Sequence, residues 1–162
     1  MGITIYTDGG CSGNPGPGGW AFIIKYDPES SENKESHGIM VEGWGVEENT
    51  TNNRMELRAV IASLEALFRL NKGQTALLCT DSQYVQKGIS EWIHTWKKNG
   101  WKTSDKKPVK NDDLWKYLDE LSGRFHITWK WVKGHAGNEY NEYCDKLTQR
   151  AIAHLKDNSG SG

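Results

Sequence analysis

Three short apolar runs, each ending at a polar side chain able to act on a phosphate, constrain this chain more than any other feature. They are Ile3-Thr-Ile-Tyr-Thr-Asp8, Ala76-Leu-Leu-Cys-Thr-Asp81 and Phe125-His-Ile-Thr-Trp-Lys-Trp-Val-Lys-Gly-His135. In open α/β sheets, ligands bind beyond the carboxyl ends of parallel strands. Two carboxylates and an imidazole at such ends suggest a site rather than a core.

The remaining pattern supports a sheet of that kind. Trp20–Tyr26 and Ile39–Gly45 read as two further strands. With the first run they suggest an antiparallel meander. A Gly/Pro-rich loop over 9–19 and a polar, acidic tip over 27–37 separate the three. Val60, Ile61, Leu64, Leu67 and Phe68 recur at helical spacing, which predicts a helix over 53–70, ended near Gly73. A strand, a helix and a strand imply a right-handed crossover and a parallel pair. Residues 82–121 read as broken helix, 125–132 as a strand and 139–155 as a last helix. The fold class expected is α/β, with a mixed five-stranded sheet (antiparallel meander plus parallel strands) flanked by helices. The length fits one domain, over 1–156, with 157–162 as a disordered tail.

Four acids stand out. Asp8 and Asp81 end strands, although a turn aspartate and a helix N-cap are equally ordinary uses of such residues. Glu56 is four residues before Val60 and so lies on the core-facing stripe of the helix. A capping box from Asn53 to Glu56 is the alternative, but it does not explain an inward charge, whereas a cation would. Asp145 flanks Cys144, Leu147, Ala151 and Ile152, and it equally suits an exposed helix surface. Gathered in one place, these four would repel and raise one another's pKa unless a cation neutralised them. Oxygen ligands favour hard ions such as Mg²⁺ or Mn²⁺. Two such ions about 4 Å apart can activate a water and stabilise a leaving oxygen at phosphorus. His135, in a glycine-flanked loop, suits proton movement more than ligation.

The whole-chain charge of −1 indicates no polyanionic partner, but the charge is unevenly placed. Residues 87–110 hold seven lysines against two acids, with Trp92, Trp96 and Trp101 interleaved. Lysines attract phosphates and aromatics pack on sugars or bases; a solvated helix with a core-facing Trp92/Trp96 edge is the plain alternative. Three cysteines without CxxC spacing, and no visible signal peptide, fit a reducing cytoplasmic setting. No apolar stretch approaches membrane-spanning length.

Four motifs, in this order, resemble bacterial type 1 ribonuclease H. They are Tyr-Thr-Asp8-Gly-Gly-Cys-Ser-Gly-Asn-Pro-Gly-Pro-Gly-Gly, Thr-Thr-Asn-Asn-Arg-Met-Glu56-Leu, Thr-Asp81-Ser-Gln-Tyr-Val, and Lys-Gly-His135-Ala-Gly-Asn leading to Glu-Tyr-Cys-Asp145. Trp92-Ile-His-Thr-Trp-Lys-Lys is similar to that family's basic protrusion. The resemblance implies a ribonuclease H-like fold and endonucleolytic hydrolysis of the RNA strand of RNA–DNA hybrids, leaving 5′-phosphate and 3′-hydroxyl ends. It implies two Mg²⁺ ions, with Mn²⁺ as a substitute, held by Asp8, Glu56, Asp81 and Asp145, with His135 assisting. Asn14, Asn52 and Gln83 match residues on the RNA strand's minor-groove side. Thr51 and Asn111 match a DNA-phosphate pocket, and Trp92, Trp96, Lys97 and Lys98 a grip on the DNA strand. The resemblance also implies a monomer with no membrane partner. Asn49 stands where an arginine commonly completes the phosphate pocket. A catalytically silent hybrid-binding module and an integrase- or transposase-like strand-transfer domain are the competing classes.

Overall fold

A computed structural model describes residues 2–27, 39–71, 73–133 and 139–160. His135 and nearly all of the acidic tip at 27–37 lie outside the described residues. The elements run β1 (Gly2–Cys11), β2 (Gly16–Asp27), β3 (Ile39–Thr50), α1 (Asn52–Leu70), β4 (Thr75–Thr80), α2 (Gln83–Lys87), a π-helical turn (Gly88–Trp92), α3 (Ile93–Lys98), α4 (Asp112–Ser122), β5 (His126–Trp131) and α5 (Glu139–Gly160).

The five strands form one mixed sheet in the order β3-β2-β1-β4-β5. The β1–β2 and β2–β3 pairs are antiparallel, whereas β1–β4 and β4–β5 are parallel. The expected meander and parallel strands are therefore present, but β3 and β4, which α1 connects, are not neighbours. The crossover carries the chain past β2 and β1, so that β4 pairs with β1. This puts the first and second apolar runs side by side.

Most of the predicted glycine loop is strand. Gly9, Gly10 and Cys11 pair with Trp20, Gly19 and Gly18, which leaves only a short turn between β1 and β2. Glycines read from sequence as loop formers are here strand residues that let other elements come close. β3 likewise runs on to Thr50, and α5 continues past 155 to Gly160.

Alternation along β1 and β2 sorts the core into two layers. Ile3, Ile5, Phe22 and Ile24 pack against Leu57, Val60, Ile61, Leu64 and Leu67 of α1, with Trp115 and Leu118 of α4 behind them. Tyr6, Ala21 and Ile23 pack against Cys144 and Leu147 of α5. Each Val, Leu, Ile or Phe among these contributes about 1.5–3 kcal/mol when fully buried. The edge strand β5 is less covered. Trp131 is 40% exposed, and its indole donates to the Asp81 carbonyl at 3.3 Å.

Gly9 is the point of closest approach between sheet and helix. A Cβ built there would lie 2.5 Å from the Glu56 nitrogen and 2.6 Å from the Met55 oxygen, both backbone atoms with no freedom to swing aside. Gly9→Ala should therefore push the first turn of α1 off β1. We expect a loss of about 1–3 kcal/mol, read as a fall of several degrees in Tm.

Candidate active site

The parallel pairing of β1 and β4 ends at Tyr6 and Cys79. Asp8 and Asp81 each lie two residues further on. By the two-residue period of a strand they project from the same face as that last pair. Beyond this point β4 gives way to α2 at the carboxyl end of the sheet. The hydroxyl of Ser82 accepts from the Val85 N–H at 3.1 Å, so Ser82, not Asp81, caps α2. The Asp81 carboxylate is thereby spared the capping role.

Glu56 joins Asp8 and Asp81 from the first turns of α1. That helix is capped by Thr51, whose hydroxyl accepts from the Arg54 N–H at 3.3 Å. The alternative capping box from Asn53 is absent, and Glu56 is not a cap. Its carboxylate instead accepts hydrogen bonds from the Gly9 N–H and the Ser82 hydroxyl. One carboxylate oxygen from each of Asp8, Glu56 and Asp81 lies within 4.8 Å of the others, a group able to hold a metal ion. Each residue keeps part of its surface open to solvent, although protein surrounds the carboxyl groups of Asp8 and Glu56.

The electrostatics are those of desolvated carboxylates crowded together. Burial pushes the Asp8 carboxyl up to about 8, and the charges of Asp81, Asp145 and Glu56 add to the rise. Burial, with the charge of Asp81, pushes Glu56 up to about 7 against the two hydrogen bonds it accepts. Thr148 on α5 is also aimed here. Its hydroxyl lies 3.1 Å from the Cys144 carbonyl and 3.5 Å from the Asp8 carbonyl, and it offers a bond to the Asp8 carboxylate as well. The bond to the carboxylate works against the rise of the Asp8 pKa without cancelling it.

Asp145 stands outside the tight group of three, yet near enough for its charge to raise Asp8. The other residues singled out from sequence fall into two sets. Asn14, in the β1–β2 turn, accepts from the Asn52 N–H at 3.3 Å, which joins two of the predicted RNA-side residues, and Gln83 is exposed at the start of α2. Further along, Trp92 and Trp96 stack into an aromatic cluster with Tyr84, Trp101 and Trp115. Trp92 and Trp96 are both half-buried, so the core-facing edge expected of them is present while part of each ring stays exposed. A Cβ on Gly88 would collide with the Trp115 ring, so the helix can pass over that ring only with glycine there. Lys97 is held by Asp119 at 2.9 Å, and Lys98 is exposed.

Sequence reasoning missed Ser82, Thr148, Tyr84 and Arg54. Ser82 could have been found, because a serine three residues before Val85 is a capping signal. The others carry no local signal, since their partners are distant in sequence. The Tyr84 hydroxyl accepts from both the Trp115 indole at 2.9 Å and the Asn111 amide at 3.1 Å. Arg54 donates to Asn111 and, with a two-pronged grip, to Asp113.

Comparison with known proteins gives this architecture a family. The RNase H family model matches residues 1–153. A ribonuclease H of Phenylobacterium zucineum is 56% identical over 93% of this chain and 90% of its own length. A ribonuclease HI of Neisseria meningitidis serogroup B is 53% identical over 93% and 95%. Among solved structures, LC9-RNase H1, a type 1 RNase H with the type 2 active-site motif, superposes with a TM-score of 0.81 at 32% identity, over 94% of this chain and 72% of that one. The chain belongs to the RNase H family, which cleaves RNA in RNA–DNA hybrids. Its curated relatives are ribonucleases H, endoribonuclease hydrolases, and it is an enzyme of that kind.

The raised carboxyl groups make stability fall with pH. Their folded pKa values lie above their unfolded ones, so the folded state binds protons more tightly. The contribution is fully present below about pH 4 and is lost as pH rises through 7 and 8. Asp8→Asn removes one repelling charge. In chelator it should raise Tm by several degrees at pH 8.5, about 1–3 kcal/mol, and change it little at pH 5, as read from thermal melts.

Proposed function

We propose that this protein hydrolyses the RNA strand of RNA–DNA hybrids by two-metal-ion catalysis, leaving 5′-phosphate and 3′-hydroxyl ends. The observation that carries the reading is the convergence of Asp8, Glu56 and Asp81 on one point, with two of them held far above the ordinary carboxylate range. Each of the three residues offers a carboxylate oxygen to that point. Such an all-oxygen set fits hard divalent cations. Two Mg²⁺ ions, with Mn²⁺ as a substitute, would bind to Asp8, Glu56, Asp81 and Asp145, and would supply an activated water and charge stabilisation at the scissile phosphate.

The chain's own groups have distinct tasks in this reading. Gly9 and Ser82 orient the Glu56 carboxylate through the two hydrogen bonds it accepts. His135, from its loop, moves a proton to or from the reacting centre. Asn14, Asn52 and Gln83 read the minor-groove side of the RNA strand, where the 2′-hydroxyl distinguishes RNA from DNA. Thr51 and Asn111 seat a phosphate of the DNA strand. Trp92, Trp96 and Lys98 track that strand's backbone; Lys97 does so only after leaving Asp119, an exposed pair worth about 0.2–1 kcal/mol. Residues 1–156 act as one catalytic unit, monomeric and cytoplasmic. No helix among the described residues is long and apolar enough to cross a membrane.

The decisive assay compares labelled RNA–DNA hybrid, RNA duplex and DNA duplex in Mg²⁺. Cleavage confined to the RNA of the hybrid is expected, and Asp8→Asn should abolish it while the fold survives. Substantial residual activity in that variant would sink the metal assignment. His135→Ala should slow turnover by about 10²-fold with metal affinity retained. Lys98→Ala should lower the salt slope of hybrid binding by roughly one.

A further inference from the structure

We propose that Arg54 is the cation of the DNA-phosphate pocket and that Asp113 holds it in reserve until a phosphate displaces that carboxylate. This rests on the reading of Thr51 and Asn111 as phosphate ligands. Asn49, at the place where an arginine commonly completes such a pocket, is neutral and exposed. Arg54 lies between the two remaining members. Its backbone N–H donates to the Thr51 hydroxyl, and its Nη1 donates to Asn111 Oδ1 at 3.4 Å.

The surroundings require a cation. Glu47 at the end of β3 and the acids of the first turn of α4 border the same corner. Asp112 is taken up by Lys116 at 3.5 Å. Glu47 faces both Arg54 and Arg58, at 3.9 and 3.8 Å. A hydroxyl and an amide in that company would not attract a phosphate without a positive charge between them. Arg54 supplies it, and the fork that grips the Asp113 carboxylate, Nη1 at 3.2 Å and Nη2 at 2.8 Å, has the geometry that also grips two phosphate oxygens.

The Asp113 grip is built to be released. The Asp113 side chain is 59% exposed and that of Arg54 31%. Water screens such a pair, so exchanging the carboxylate for a phosphate forfeits little. Asn111 stays fixed during the exchange. Its amide donates to the Tyr84 hydroxyl, which also accepts from the fully buried Trp115. This chain of bonds runs from the core to the pocket and sets which way the Asn111 amide faces, with its oxygen toward Arg54.

The test uses the full chain in chelator, where the RNA strand is not cut. Hybrid binding is followed by fluorescence anisotropy across a salt series for wild type, Arg54→Gln, Asp113→Asn and the double variant, with thermal melts to show that each is folded. Arg54→Gln should weaken binding about three- to tenfold and lower the salt slope by roughly one. Asp113→Asn should tighten binding by about two- to fivefold, the worth of an exposed ion pair. In the Arg54→Gln background the same change should add nothing. A neutral methylphosphonate walked along the DNA strand should erase the gain at one position. The proposal is overturned if Asp113→Asn fails to tighten binding, if its gain persists without Arg54, or if no DNA position erases it. A wild type that neither binds nor cuts hybrid would instead remove the parent reading of the site.

Discussion

Mutual repulsion among buried carboxylates is the constraint around which this molecule is arranged. Asp8, Glu56 and Asp81 are brought within reach of one another, partly desolvated, and Asp145 adds its charge from α5. Nothing about folding alone rewards this. Burial of a charge costs free energy, and like charges nearby raise the cost. The cluster persists because strong hydrophobic layers on either side of the sheet dictate where its backbone goes. Leu57, Val60, Ile61 and Leu64 are fully buried, and they fix α1 on β1 whatever Glu56 prefers.

The sheet's topology does the rest. Because the chain crosses from β3 to pair β4 with β1, two strand ends that are far apart in sequence fall side by side. Asp8 and Asp81 then leave the same face at the same height. Gly9 allows α1 to lie close enough for Glu56 to join them. A second organising network lies along the helical arm. There Tyr84 ties Trp115 of the core to Asn111, and Arg54 ties Asn111 back to α1. One network concentrates carboxylates, and the other holds the Arg54 guanidinium between Asn111 and Asp113.

Much of this was legible from residues alone, for identifiable reasons. Strands and α1 were readable because apolar periodicity is strong in β1, β4 and α1. The inward placement of Glu56 followed from its register with Val60 and Leu64, both now seen to be fully buried. The glycine segment misled because glycine signals both turns and close approach, and only the pairing of Gly9 with Trp20 separates the two. Capping was left open by the sequence as well. Thr51 and Ser82 hold the cap positions that Asn53 and Asp81 could equally have filled, and which side chain reaches back is decided by backbone angles that composition does not encode.

The sequence by itself determined the elements and the acids, because periodicity and strand-end chemistry are local properties of the chain. It determined the family as well, since four ordered motifs leave little freedom. Tertiary structure alone decided which acids converge, how far their protons are held above ordinary values, and how Arg54 is shared between Asn111 and Asp113. Those are properties of distance and burial between residues separated by tens of positions. They follow from which strands pair and which faces pack.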